Sequence, residues 1–371
     1  MPSAQADRAG HPTLGQCLSG RQNNLNAIRM FAATCVLVSH AFPIALGEGT
    51  PEPLQALTGE TLGGHAVIIF FILSGLLIAR SYDRGQNLKR FALARAARLY
   101  PALIVVTVLT VLAGAFFTTL PLAQYLAAPQ TLTYVPRNLS LAFLQYPLPG
   151  VFEANPLPRS INGSLWTLFY EVVCYGMVVV VGMAGLLRRR LAFTATFVAL
   201  TLAYLASQQW QPDAGAAVRL KLLLVLGFPF ALGSLAYVWR DHVVLDPRIA
   251  AVLWVLPFLG HGTVLQSFTI VVPLGYTIAC LGFLPGGRVL AYNRLGDYSY
   301  GTYLYAFPVQ QAAAYLFPGT GPLGNILIAL PVTLVLAALS WHLIEERALA
   351  SIRSANRASA APRLAQTADH P

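Results

Sequence analysis

Charge is scarce in this chain. Only 10% of its 371 residues are Asp, Glu, Lys or Arg, against about 25% in an ordinary soluble domain, and the mean hydropathy is +0.60. A soluble fold of this size needs far more charge for its surface, so the deficit excludes one and points to a protein solvated by lipid. Acidic residues are the rarer sign, 14 against 24 Lys and Arg, which leaves a net charge of +10. A basic balance serves nucleic acid when it gathers on one face of a soluble fold. Here the basic residues punctuate apolar runs, so no nucleic-acid partner is expected. Cysteine is scarce too. Cys17, Cys35, Cys174 and Cys280 stand apart, without metal-ligand spacing, so neither a disulfide framework nor a metal is implied. Residues 1–23 are polar and the first apolar run continues as a full span, so no cleaved leader is expected, and no internal repeat is detectable.

What the chain has in abundance is apolar runs of about 20 residues, the length that crosses a bilayer. They can be drawn at 24–43, 64–80, 99–119, 165–187, 191–209, 219–238, 248–262, 264–284, 297–317 and 322–344. The reading is an all-α, polytopic integral membrane helical bundle with about ten transmembrane helices, both termini on one side. Basic residues mark the cytoplasmic side. The two tails and the connections on their side hold 19 of the 24 Lys and Arg, and the opposite side holds Arg137, Arg159, Arg219 and Lys221. Both termini are therefore expected in the cytoplasm. The division is a cytoplasmic segment 1–23, a membrane domain 24–346 and an Ala/Ser/Arg-rich tail 347–371 expected to be disordered. The external stretch 120–164 is too long for a simple connection, and ordered loops of that length often serve as lids or binding surfaces.

Ionisable groups at membrane depth are costly and usually functional. "NNLNAIRMFAATCVLVSHAFP" carries two, Arg29 low in the first span and His40 near its outer end. Eleven residues of helix set them on nearly one face, about 16 Å apart. Glu171 opens the fourth span from the outside, at the depth of His40, and His65 lies at the outer edge of the second. A neutral imidazole is what a general base requires. The competing readings are bland: an interfacial His that is only a satisfied polar group, above all His65, and an Arg29 that snorkels to the inner interface. His242, His261 and His342 remain unassigned. On the inner side, "RFALARAARLYP" sets Arg95 and Arg98 at i and i+3 on a face that ends at Pro101. Charge alone does not decide whether that face meets anionic lipid or the phosphates of a ligand.

Together these stretches resemble the acyltransferase-3 family of integral membrane acyltransferases. "LNAIRMFAATCVLVSH" is similar to the family's opening helix, a basic residue followed eleven positions later by His, here Arg29 and His40. "FFILSGLLIARS" fits its Phe-Phe-x-Leu-Ser-Gly, with Ser74 and Gly75. "FALARAARLYP" fits Arg-x-x-Arg-hydrophobic-x-Pro, with Arg95 and Arg98, and "NGSLWTLFYE" fits Trp-Ser/Thr-Leu-x-x-x-Glu, with Trp166 and Glu171. "YSYGTYLYAFPV" and "WHLIEER" fit the last two helices. The chain departs from the pattern at Asn26, where an acidic residue is usual. It also has Ala306 where His often precedes Phe-Pro, and Glu345-Glu346-Arg347 where Glu is usually followed by Lys-Pro.

The resemblance implies a bacterial inner-membrane, multi-pass O-acyltransferase. It would move an acyl group, expected to be acetyl, from cytoplasmic acyl-CoA to a hydroxyl of a surface or secreted glycan or glycolipid. In that reading His40 is the base, Glu171 orients it, and Arg29, Arg95 and Arg98 meet the donor. Trp166, Ser74 and His65 line the acceptor side. Lipopolysaccharide and exopolysaccharide are the acceptor classes implied. The alternative of a different kind is a polytopic transporter or flippase of a polysaccharide precursor, suggested by many spans and intramembrane charges. Duplicated halves and paired interrupted helices, which many transporters show, are not detectable here.

Overall fold

The computed structural model describes residues 10–20 and 22–358. Among these residues the chain is helical and forms no strand, with isolated bridges at Thr13–Val244 and Thr118–Val151. The helices are α1 (Leu14–Ser19), α2 (Leu25–Leu46), α3 (Pro53–Thr58), α4 (Leu62–Gly85), α5 (Leu88–Phe117), α6 (Leu122–Ala127), α7 (Pro129–Leu139) and α8 (Trp166–Met183). They continue with α9 (Arg190–Gln209), α10 (Gly215–Val238), α11 (Pro247–Leu253), α12 (Leu256–Gly260), α13 (Gln266–Phe283), α14 (Ser299–Leu316), α15 (Gly321–Ser340) and α16 (Glu346–Ala358). Eight helical segments are long and apolar enough to cross a bilayer: α2, α4, α5, Gly163–Met183, α9, α10, α13 and Gly321–Ile352. Proline sits inside several of them, at Pro43, Pro101, Pro229, Pro273 and Pro331. Membrane helices tolerate it because neighbouring groups re-satisfy the freed carbonyls.

The structure redraws four of the expected elements. The stretch 248–262 is two short helices, α11 and α12, that break at Trp254–Val255. Pro257, in the first turn of α12, has no N–H to continue the α11 ladder, and 14 residues of helix (247–260) reach only about 21 Å, short of a bilayer core of about 30 Å. The stretch 297–317 forms α14, whose buried face carries Tyr300, Thr302, Tyr303, Gln310 and Gln311, and it falls outside the eight. The face bearing Arg95 and Arg98 does not end at Pro101, because α5 runs through that proline for 30 residues. The tail, expected without structure from 347, is helical as far as Ala358, and residues 359–371 lie outside the described part. Its first turns are rich in Ala, Leu and Glu, good helix formers, and α16 packs on α5.

Contacts divide the chain into two compact units. The first comprises residues 1–32, 53–84 and 170–296. Its tightest packing is between α4 and α10. A Cβ on Gly75 would stand 1.8 Å from the Phe230 carbonyl oxygen, and one on Gly233 would stand 2.0 Å from that of Ile72. Two facing glycines let the backbones touch, the small-residue contact typical of membrane helices, and Ser234 Oγ donates to the Gly75 carbonyl at 3.1 Å. Gly75→Val is therefore expected to pry α4 from α10 and lose about 3 kcal/mol of stability. A lowered melting temperature of the detergent-solubilised protein checks this, and an unchanged one contradicts it. α9 joins the unit by stacking Tyr204 on Phe228, ring centroids 4.4 Å apart.

The second unit comprises residues 33–52, 85–169 and 297–371. Here the long stretch after α5 is ordered. Tyr125, Tyr134, Leu148, Val151, Phe152 and Ile161 form a buried cluster. The Asn138 amide donates to the carbonyls of Tyr134 and Gln145, at 2.9 and 3.0 Å. Gln145 Nε2 donates to the carbonyls of Gln130 and Pro147, at 2.7 and 3.0 Å. Burial pushes the Tyr125 phenol up to about 12 and raises that of Tyr134 as well, so both are neutral hydrogen-bond donors at ordinary pH. Tyr125 gives its proton to the Val111 carbonyl at 2.7 Å, which pins α6 to α5.

Candidate functional site

Arg29 and His40 both fall within α2 (Leu25–Leu46). In the second unit, the His40 ring meets Phe307 of α14 edge to face, with centroids 5.0 Å apart and planes at 71°. His40 Nδ1 is buried and has no hydrogen-bond partner among the described residues. Buried polar atoms are almost always paired, so an orphan asks for an explanation. One residue earlier, Ser39 Oγ donates to Glu52 Oε2 at 2.7 Å, and both groups are buried. That bond fastens the loop after α2 to the end of that helix.

Phe307 is held in turn by the segment that opens α8. Asn162 Nδ2 donates to the Leu304 carbonyl at 3.0 Å, and the Tyr303 hydroxyl donates to the Ser164 carbonyl at 2.7 Å. Between these bonds lies Gly163, where a Cβ would come within 2.6 Å of Phe307 Cε2. Gly163→Ala should tilt the Phe307 ring and, through it, His40. The expected result is a fall in turnover of roughly tenfold at unchanged expression, since a misplacement of about 1 Å can cost a hundredfold. Steady-state rates of the purified variant, read beside those of Phe307→Leu, check it, and wild-type turnover in both contradicts it.

In the first unit, Ser74 and Glu171, read from separate motifs, meet. Ser74 Oγ donates to Glu171 Oε1 at 2.9 Å, and the Tyr175 hydroxyl donates to the same oxygen. Tyr175 lies one helical turn beyond Glu171 on α8, the spacing that puts two side chains on one face, and was not singled out by the motif. His65 Nε2 is 2.9 Å from Thr58 Oγ1, a pairing that gives this interfacial His a partner without a ligand. Trp166 is the first residue of α8 and is half-buried.

Arg95 and Arg98 lie on one face of α5, and their surroundings differ. The Arg95 guanidinium lies 6.0 Å from the Phe91 ring centroid. Arg98 is gripped by carboxylates: Nη2 donates to Asp297 Oδ2 at 2.6 Å and Nη1 to Glu345 Oε2 at 3.5 Å. The guanidinium also lies 5.5 Å from the Tyr300 ring centroid. Asp297 precedes α14 and receives the Ser299 hydroxyl on its other oxygen. Glu345 closes a π-helical turn, Trp341–Glu345, that joins α15 to α16, and receives Ser340 Oγ at 2.9 Å. Single π turns inside helices are frequent at functional places, and this one brings Glu345 within reach of Arg98. The choice between lipid and ligand phosphate thus has a third answer for Arg98, an internal ion-pair knot joining α5, α14 and the α15–α16 junction. Neither Asp297 nor Glu345 was assigned a role from sequence. Acidic residues just before α14 and at the α15–α16 junction, in a chain so poor in acid, are the signal that was there.

Residues 22–343 match the model of a family described as acyltransferase domain. The chain belongs to the acyltransferase-3 family. An O-acetyl transferase of Shigella phage Sf6 is 30% identical over 342 residues, covering 89% of this chain and 96% of the relative. Nodulation protein 10 of Rhizobium leguminosarum bv. viciae is 26% identical over 362 residues, covering 89% of this chain and 94% of the relative. No solved structure matches the chain. Membership makes the protein a multi-pass membrane acyltransferase, and the acyltransferase-3 match contains Arg29, His40, His65, Ser74, Arg95, Arg98, Trp166 and Glu171. The transporter reading is set aside by the same match.

Proposed function

We propose that this O-acyltransferase moves an acetyl or other short acyl group from cytoplasmic acyl-CoA to a hydroxyl of a surface or secreted glycan, in the inner membrane of a bacterium. The observation that carries the reading is His40: a buried imidazole nitrogen without a partner among the described residues, on the same helix as Arg29 and facing Phe307. A neutral ring nitrogen takes a proton from an acceptor hydroxyl. As it does so, the hydroxyl oxygen attacks the thioester carbonyl. The new C–O bond forms as the C–S bond breaks, and CoA leaves as the thiol once His40 returns the proton.

Arg29, eleven residues before His40 in the sequence, suits the phosphate end or the amide-bearing arm of the donor, and Arg95 is assigned to the donor as well. Arg98, already paired twice, frames that surface, and its place in donor binding is secondary to Arg95. Trp166 offers the sugar a stacking face. His65 stays an outer-edge contact of lower rank, because Thr58 already engages it. Glu171, fixed by Ser74 and Tyr175, is assigned the orienting carboxylate, a role that rests on the family pattern. The orientation with both termini in the cytoplasm, drawn from the basic residues, puts His40 near the outer surface, and no metal is required by this chemistry. A covalent acyl-imidazole at His40 is the variant of the same mechanism, and trapping of a labelled acyl-enzyme without acceptor separates the two.

The test is mass spectrometry of surface glycans from a deletion strain complemented with the wild-type gene or with His40→Ala. An acetyl increment restored only by wild type is expected. Identical glycans in all strains, with altered uptake or efflux, would overturn the reading.

A further inference from the structure

At the outer end of α2, five residues beyond His40, the second unit contains a cavity of about 310 Å³ bounded by Ala45, Asn155, Tyr315, Phe317, Gly319 and Thr320. It is separate from the contacts of His40 described above, and it unites three segments: the end of α2, the loop before α8 and the α14–α15 turn. We infer that it is a sugar subsite, which holds the unit of the acceptor glycan next to the one being acylated. The inference rests on the glycan-acceptor reading above.

Three features support a sugar rather than an alkyl chain. The first is stacking surface. Tyr315 and Phe317 are 41% and 50% exposed, although both lie at the rim of a folded cavity, and a pyranose ring lays its apolar C–H face on such rings while its hydroxyls point sideways. Tyr315 is braced from behind by Phe117 and Phe152, centroids 5.6 and 5.8 Å away, so one part of the phenol packs and the rest faces out. The second is hydrogen bonding set at the edge. Asn155 Nδ2 donates to the backbone and side-chain oxygens of Gln311, at 2.9 and 2.7 Å, and among the described residues nothing donates to its Oδ1. That oxygen and the exposed Thr320 hydroxyl, which donates to the Phe317 carbonyl at 3.0 Å, are acceptors for sugar O–H groups.

The third feature is rigidity. Gln311 is fully buried, and its Nε2 donates to the carbonyls of Leu157 and Ser160, at 2.9 and 2.7 Å. The loop carrying Asn155 is thus fastened to α14, the helix whose Phe307 touches His40. Ligand sites combine a largely pre-formed cavity, aromatic walls and a few placed polar groups, and this cavity has all three. An acyl chain would leave Asn155 Oδ1 without a donor and offer the Thr320 oxygen none, which disfavours it.

Saturation-transfer NMR on the full-length protein in nanodiscs tests the inference, with methyl glycosides of a hexose, a 6-deoxyhexose and an N-acetylhexosamine as probes. Wild type should give saturation transfer to at least one of them. Phe317→Ala removes stacking surface at an exposed position, and Tyr315→Phe removes a hydroxyl while keeping the ring packed. Each should reduce the signal several-fold, roughly up to tenfold for the stacking loss. The melting temperature and acetyl-CoA affinity of both should stay at wild-type values. Transfer to none of the glycosides in wild type, or signals unchanged in both variants, overturns the subsite. Sugar binding seen in wild type and lost in the variants, with no acyl-CoA turned over by wild type, would keep the subsite and sink the proposed reaction instead.

Discussion

His40→Ala is expected to reach the membrane at wild-type levels and to transfer almost nothing, with kcat down by roughly 10²–10⁴, the contribution of a placed general base. The direction follows from the surroundings of the ring. Nδ1 has no partner among the described residues, so its loss breaks no hydrogen bond there. What disappears is an edge contact with Phe307, worth about 1 kcal/mol. Stability should hardly move, and donor KM should stay within a few-fold, because the residue acts in the transition state. Turnover near wild type in the purified variant would remove His40 from the mechanism and leave the orphan nitrogen unexplained.

Arg98→Ala should fail differently. Its guanidinium sits between two carboxylates, with side-chain exposures of 18% for Arg98, 9% for Asp297 and 2% for Glu345. Removing the cation leaves two buried like charges facing each other, a loss of about 3–5 kcal/mol, enough to cripple a protein of ordinary stability. Arg98→Lys keeps the charge without the fork that reaches both acids and should recover part of the loss. The triple variant Arg98→Met, Asp297→Leu, Glu345→Met removes the knot as a whole and should be close to wild type in melting temperature, because an apolar replacement of a buried ion pair is often neutral. If Arg98 frames the inner surface, acyl-CoA affinity returns with stability in the triple variant. A folded triple variant that has lost acyl-CoA binding would instead make Arg98 a donor ligand.

The contrast between these two residues shows what the sequence can convey. His40 and Arg29 stand out as candidates because their signal is local: ionisable groups inside an apolar run, spaced by the helix repeat. Ser74 and Glu171 are readable as separate motif positions, and the bond between them is what folding adds. The partners of Arg98 lie 199 and 247 residues away in the chain, and no periodicity encodes a pairing at that range. Hydropathy misled where backbone geometry overrode it. It joined α11 and α12 across Pro257, while the basic face of Arg95 and Arg98, read as ending at Pro101, continues through that proline in α5. α14 is the reverse case, a helix whose partners are protein groups, so that its polar residues are satisfied inside the bundle. The Phe307–Gly163 fit was unreadable because a glycine's reason for being there is a ring from another part of the chain.

The central claim, acyl transfer from acyl-CoA to a glycan hydroxyl through His40, is tested most directly by one measurement. The purified protein in nanodiscs is supplied with [¹⁴C]acetyl-CoA and the deletion strain's own surface polysaccharide, and label in the polysaccharide is counted over time for wild type and His40→Ala. The account predicts alkali-labile label that rises with wild type and stays at background with the variant. Label entering at equal rates with both proteins, or with neither, would contradict it.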